Sequence, residues 1–159
     1  MANIYENLLT VSEKLLDVER VGTAARRRAI STAYYAAFRR MDSLCASTFA
    51  PSGDRDAFES VLRSLNHKEV RSVLNNNEAR ALLGNSVGKL FGELLSAREW
   101  ADYSSTSHVS AEKAARGDKL TRAEATKFVN DARAIVAAID ALDERSRSKL
   151  SILLSFHRR

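Results

Sequence analysis

Two stretches of the 159-residue chain set chemically capable side chains at helical spacing. In Arg27-Arg28-Ala29-Ile30-Ser31-Thr32-Ala33-Tyr34-Tyr35-Ala36, the residues Arg27, Ser31 and Tyr35 stand four apart and so share one polar stripe of a helix. In Arg98-Glu99-Trp100-Ala101-Asp102-Tyr103, Arg98 and Asp102 are also four apart and suit an ion pair. A guanidinium forks onto phosphate or carboxylate, and hydroxyls can orient or protonate an oxyanion. The chemistry these residue types suggest is anion recognition. The same residues would equally build a buried polar network that fixes helix register, and residue chemistry alone ranks that reading ahead of an active site.

Other signatures of catalysis are missing. The three histidines, His67, His108 and His157, lie far apart, and the single Cys45 cannot complete a zinc site, so no metal and no cofactor are expected. No glycine-rich phosphate loop follows a strand, because no segment reads convincingly as a strand.

The elements that must carry the two stretches are helices. Apolar residues make up 45% and charged residues 28%, a globular composition, and one proline with six glycines leaves little turn chemistry for a β protein. A lone cysteine excludes an internal disulfide and favours a reducing, cytoplasmic setting. Neither a long apolar run nor a secretory signal is visible, so no membrane span is expected. The net charge of +5, with arginine well in excess of lysine, suits a polyanion such as RNA or an acidic protein.

Asn3 and Glu6 form a capping box that opens a first helix to about Glu19, with Gly22 ending that segment and Thr23 capping a second helix to Ser47. Asp54 to Asn75 reads as one or two short helices with Phe58, Val70, Val73 and Leu74 inward. A long helix is expected from Glu78 to Ala101, with Gly84, Gly88 and Gly92 on one stripe where another backbone comes close. Ser104 to Lys119 is polar and reads as a mobile loop. A second capping box, Thr121 with Glu124, opens the last core helix. The division expected is a helical bundle over 1–143 and, over 144–159, an extension of the last helix or a docking tail.

Taken in order, Ala33-Tyr34-Tyr35-Ala36, Asn66-His67-Lys68-Glu69-Val70-Arg71, Arg98-Glu99-Trp100-Ala101-Asp102-Tyr103 and Leu120-Thr121-Arg122-Ala123-Glu124-Ala125 resemble the motifs of a HEPN domain, in its bacterial and archaeal branch. The resemblance spans about residues 5–140. It implies an all-α, four- to five-helix up-and-down bundle that homodimerises. Many members are metal-independent endoribonucleases of toxin–antitoxin or anti-phage defence systems, and they often work beside a nucleotidyltransferase antitoxin. By that resemblance Arg98, Asp102, Tyr103 and His67 become catalytic residues, and Arg27, Ser31 and Tyr35 contact RNA or a nucleotide. The family's active motif is an arginine followed after four to six residues by histidine. Here the fifth position after Arg98 is Tyr103, and His108 lies farther on. A tyrosine of ordinary pKa near 10 is a poor base at neutral pH. The alternative is therefore a non-catalytic HEPN-like module that binds a nucleotide, a nucleotidyltransferase or another protein.

Overall fold

The computed structural model describes residues 3–19, 22–50 and 52–156. Over these residues the chain is an all-α bundle, with no strand among them. The second helix, α2 (Gly22–Phe49), runs through the middle and packs on the first, α1 (Ile4–Leu16). It also packs on α3 (Arg55–Leu62), α6 (Val87–Tyr103), α8 (Arg122–Asp140) and α9 (Glu144–Ser155). Its composition explains why. Seven alanines, among them the fully buried Ala29, Ala33, Ala36 and Ala37, favour a helix and leave little side-chain bulk. Neighbours can therefore close on several sides at once. Between these helices lie the short α4 (His67–Leu74) and α5 (Asn77–Leu83), and the one-turn α7 (Ala111–Ala115).

Helix starts follow local chemistry. Glu6 accepts from the Asn3 backbone N–H at 3.1 Å, and Glu124 from that of Thr121 at 2.9 Å, closing both capping boxes. The side chains of Asn66, Asn76 and Asp143 cap α4, α5 and α9 by accepting from a backbone N–H of the first turn.

Several boundaries differ from expectation. Gly22 opens α2 rather than ending α1. The long helix expected from Glu78 to Ala101 is two helices, α5 and α6, because Gly84 takes φ +86° and ends α5. Gly84 is thus off the stripe, while Gly88 and Gly92 remain on α6. A Cβ on Gly88 would sit 2.5 Å from the Leu74 carbonyl oxygen, so the close backbone approach is intramolecular, between α6 and α4. On α1 the buried side is Tyr5, Leu9 and Ser12, which leaves Ile4 and Val11 exposed, as is Val18 just past its end. Phe58, expected inward, is also exposed.

Ser104 to Lys119 is a fastened segment, not a free loop. It contains α7, and His108 is buried with Nε2 3.0 Å from Glu124 and Nδ1 accepting from the Ser110 N–H at 2.9 Å. Beyond α8, residues 144–155 do not continue that helix. Asp143 caps a new one, α9, which turns back and buries Leu150, Ser151 and Leu154 against the bundle. His157 lies outside the described residues.

One carboxylate is fully enclosed. Asp42 of α2 meets Arg39 at 2.9 Å on one oxygen, while the other has no partner among the described residues. Burial raises its pKa to about 6, against the pull of Arg39.

Candidate functional site

The site forms where the N-terminal half of α2 crosses the end of α6. The last carbonyls of any helix lack intrahelical partners and carry the negative end of its dipole. Arg27 donates to three carbonyls there, of which that of Trp100 also accepts from the Ser104 N–H at 3.0 Å. Its Nε donates to the Ala101 carbonyl at 2.9 Å and its Nη2 to that of Trp100 at 3.0 Å, and Nη2 also donates to the Ser104 carbonyl. The guanidinium lies 4.7 Å from the centre of the Trp100 ring. Arg27 therefore fixes the crossing and spends most of its donors there.

One turn back along α6, Arg98 stands among tyrosines. Its Nη2 donates to the Tyr35 hydroxyl. Its Nε is 2.9 Å from an Asp102 carboxylate oxygen, off the N–H axis, so that contact is an ion pair rather than a hydrogen bond. The guanidinium carbon lies 5.2 Å from the Tyr35 ring centre and 5.4 Å from that of Tyr103. Burial alone would lower the pKa of Arg98, but the bond to Tyr35 and the charges of Tyr35 and Asp102 raise it overall. Asp102 and the tyrosines hold the cation in place while its outer edge faces a cleft.

That cleft encloses about 610 Å³ and is lined by Arg27, Arg28, Tyr35, Arg98, Asp102 and Tyr103. Tyr103 stands at its mouth, 76% exposed. Four expected residues from two distant stretches thus meet Arg27 in one place. Ser31 does not. It is 1% exposed, and its hydroxyl has no partner among the described residues. The helical stripe through Arg27 and Tyr35 is covered by the packing of α2, and only long side chains reach past that cover. Ser31, expected to contact RNA or a nucleotide, therefore does not line the cleft.

His67 is near the group but does not line the cleft. It opens α4, its ring centre 4.1 Å from that of Phe38 and 6.4 Å from that of Tyr35. The buried Tyr34 hydroxyl lies 2.6 Å from its Nδ1. Burial pushes the Tyr34 pKa well above its ordinary value, so the phenol keeps its proton and donates. Nδ1 therefore accepts, and the ring proton of neutral His67 sits on Nε2. Burial, then Arg98 and Arg39, push the imidazole below its usual pKa despite Glu99. At neutral pH this ring is uncharged.

Arg28 is the residue that sequence reasoning left out. It is exposed, lines the cleft and makes no ion pair within the described residues. It lies off the four-residue spacing, and the only signal for it was its place beside Arg27. Among the described residues no cluster of three metal-ligating side chains forms, and no helix is long and apolar enough to cross a membrane. No protein-family model matches the chain, and no curated protein or solved structure matches it, so a functional reading rests on this cleft and on the motifs that build it.

Proposed function

We propose that the chain is a HEPN-type effector that binds RNA in the Arg98 cleft, of the toxin–antitoxin or anti-phage defence kind. The observation that carries this is an open cleft presenting three guanidinium groups beside two tyrosines. Arg28 is free to meet a phosphate first. Arg98, held by Tyr35 and Asp102, would then exchange part of its pairing with Asp102 for a phosphate oxygen. Tyr103 offers a stacking face at the mouth. In a homodimer two such clefts would form one longer basic surface.

Cleavage needs more. Attack by a ribose 2′-hydroxyl is helped by a base that takes its proton and by a cation that stabilises the phosphorane charge. Arg98 suits the second role. Among the described residues the only carboxylate lining the cleft is that of Asp102, which is already paired. His67 could serve only by giving up its bond to Tyr34. The absence of an imidazole among the described residues lining the cleft favours a second reading, a non-catalytic HEPN-like module that binds a nucleotide, a nucleotidyltransferase or another protein partner.

Labelled RNA incubated with the protein and with Arg98→Gln separates these. Cleavage that is lost in the variant supports the effector with a metal-independent ribonuclease site. Binding without cleavage selects the non-catalytic form. If wild type neither binds nor cuts RNA, the RNA reading is wrong, and co-purification of a partner protein becomes the test of the second.

A further inference from the structure

The Arg98 cleft is the first of three depressions along one side of α6. The next lies between α6 and α4, lined by Lys68, Arg71, Ser72, Leu95 and Glu99. The third, about 630 Å³, has Gly88, Gly92 and Ser96 as its floor, Arg71 on one wall and Phe128 on the other. Arg71 and Asn75 line both of these, so the two are continuous. At 100° per residue, Arg98, Leu95, Glu99, Gly88 and Gly92 fall on one side of the helix. The 17 residues of α6 make this side about 25 Å long.

Cationic and aromatic side chains line it. Arg28 in the first depression and Lys68 and Arg71 in the second make no ion pair within the described residues. Lys127, beside the third, is held by Glu93 at 2.8 Å and Asp131 at 2.7 Å. The bare backbone of Gly92 lets the Arg71 guanidinium lie across the helix. A Cβ there would come 3.2 Å from its Nε. One aromatic ring, Tyr103, stands exposed at one end, while at the other Phe128 is half-buried with the Lys127 ammonium 5.0 Å from its ring centre. Cations without an ion pair leading away from an exposed ring suit a single strand, whose phosphates and unpaired bases are both accessible. A duplex keeps its bases stacked inside.

We propose that this side of α6 is a track for single-stranded RNA. The strand runs from Tyr103 toward Phe128 with its phosphates over Arg28, Lys68 and Arg71. The proposal rests on the RNA reading of the Arg98 cleft and extends it from a point to a path. The path length fits on the order of four or more nucleotides, the lower end for single-strand grooves. Glu99 interrupts the cations, and its carboxylate can accept from a base amino group but repels phosphate.

The test is fluorescence anisotropy with labelled oligouridylates of two and ten nucleotides and a duplex of the longer sequence. Wild type should gain tenfold or more in affinity from the short to the long single strand and should bind the duplex less well. The double variant Lys68→Gln, Arg71→Gln should lose most of that gain, with its salt slope lower by about 1.4 for two phosphates lost. Both positions are exposed, and a melting curve checks that the variant is folded. Glu99→Gln should tighten the long strand. If the double variant binds the long strand like wild type while Arg98→Gln weakens it, the track is wrong and the cleft reading stands. Equal binding of duplex and single strand also overturns the track, and no RNA binding by wild type overturns both.

Discussion

The two halves of α6 are held by opposite means. Its N-terminal half meets α4 through missing side chains, with Gly88 so close to Leu74 that even a methyl group does not fit. Its C-terminal half meets α2 through long charged ones, with Arg27 on the last carbonyls and Arg98 beside Asp102. Steric contact of backbone on backbone tolerates no change, because neither side can move without shifting a helix. Charged contacts at a cleft edge are partly solvated and exchangeable. The first half fixes where α6 lies; the second is free to trade partners with a ligand.

Substitutions should separate the halves by size and by kind. Gly88→Ala should cost about 3 kcal/mol even after regaining about 1 kcal/mol of helix propensity, read from chemical denaturation. A loss below about 1 kcal/mol would show that α4 and α6 separate easily and would undo the contrast. Arg27→Ala should cost about 2 kcal/mol, because three carbonyls at the end of α6 lose a charged donor. It should also weaken RNA binding, since Tyr103 and Asp102 sit on the turn it caps. Arg98→Gln should lower stability by only about 1 kcal/mol, since its contacts lie at a cleft edge, yet reduce RNA affinity tenfold or more. A large stability loss with unchanged binding would return Arg98 to a purely structural role.

The smallest effect is a titration. Followed by NMR, His67 should titrate below the ordinary histidine value, with Nε2 protonated in the neutral ring. The unfolded chain takes up this proton first as pH falls. His67 therefore contributes stability above its unfolded pKa that is lost as pH drops toward its lower folded one. Tyr34→Phe removes the hydroxyl that faces Nδ1, and the ring should then lose its fixed tautomer. A histidine that titrates above its ordinary value would contradict this placement beside Arg98.

Much of the frame was legible locally. The capping boxes at Asn3 and Thr121 follow from residue types and spacing, because a cap is made within one turn. The Arg98–Asp102 pair was legible for the same reason. The burial of Ser31, the fastening of residues 104–119 and the return of α9 were not. Each depends on which partner covers a surface, and a periodic pattern names a face without naming what packs on it. Arg28 escaped notice because the cleft is built across two helices, not along one.

By itself the sequence determined that this protein is helical, where its main helices begin, and that arginine and tyrosine would stand together on two of them. Those facts are set by propensity, caps and short-range spacing, which need no distant contact. Only the tertiary structure decided which of those side chains share a cleft. It put Arg27 on the carbonyls of α6, left Arg28 and Arg71 without an ion pair among the described residues, turned His67 to Tyr34 and closed Ser31 away. The physical reason is that pairing, burial and access belong to the crossing of helices, and the angle of that crossing is set by the glycines and alanines that let them approach.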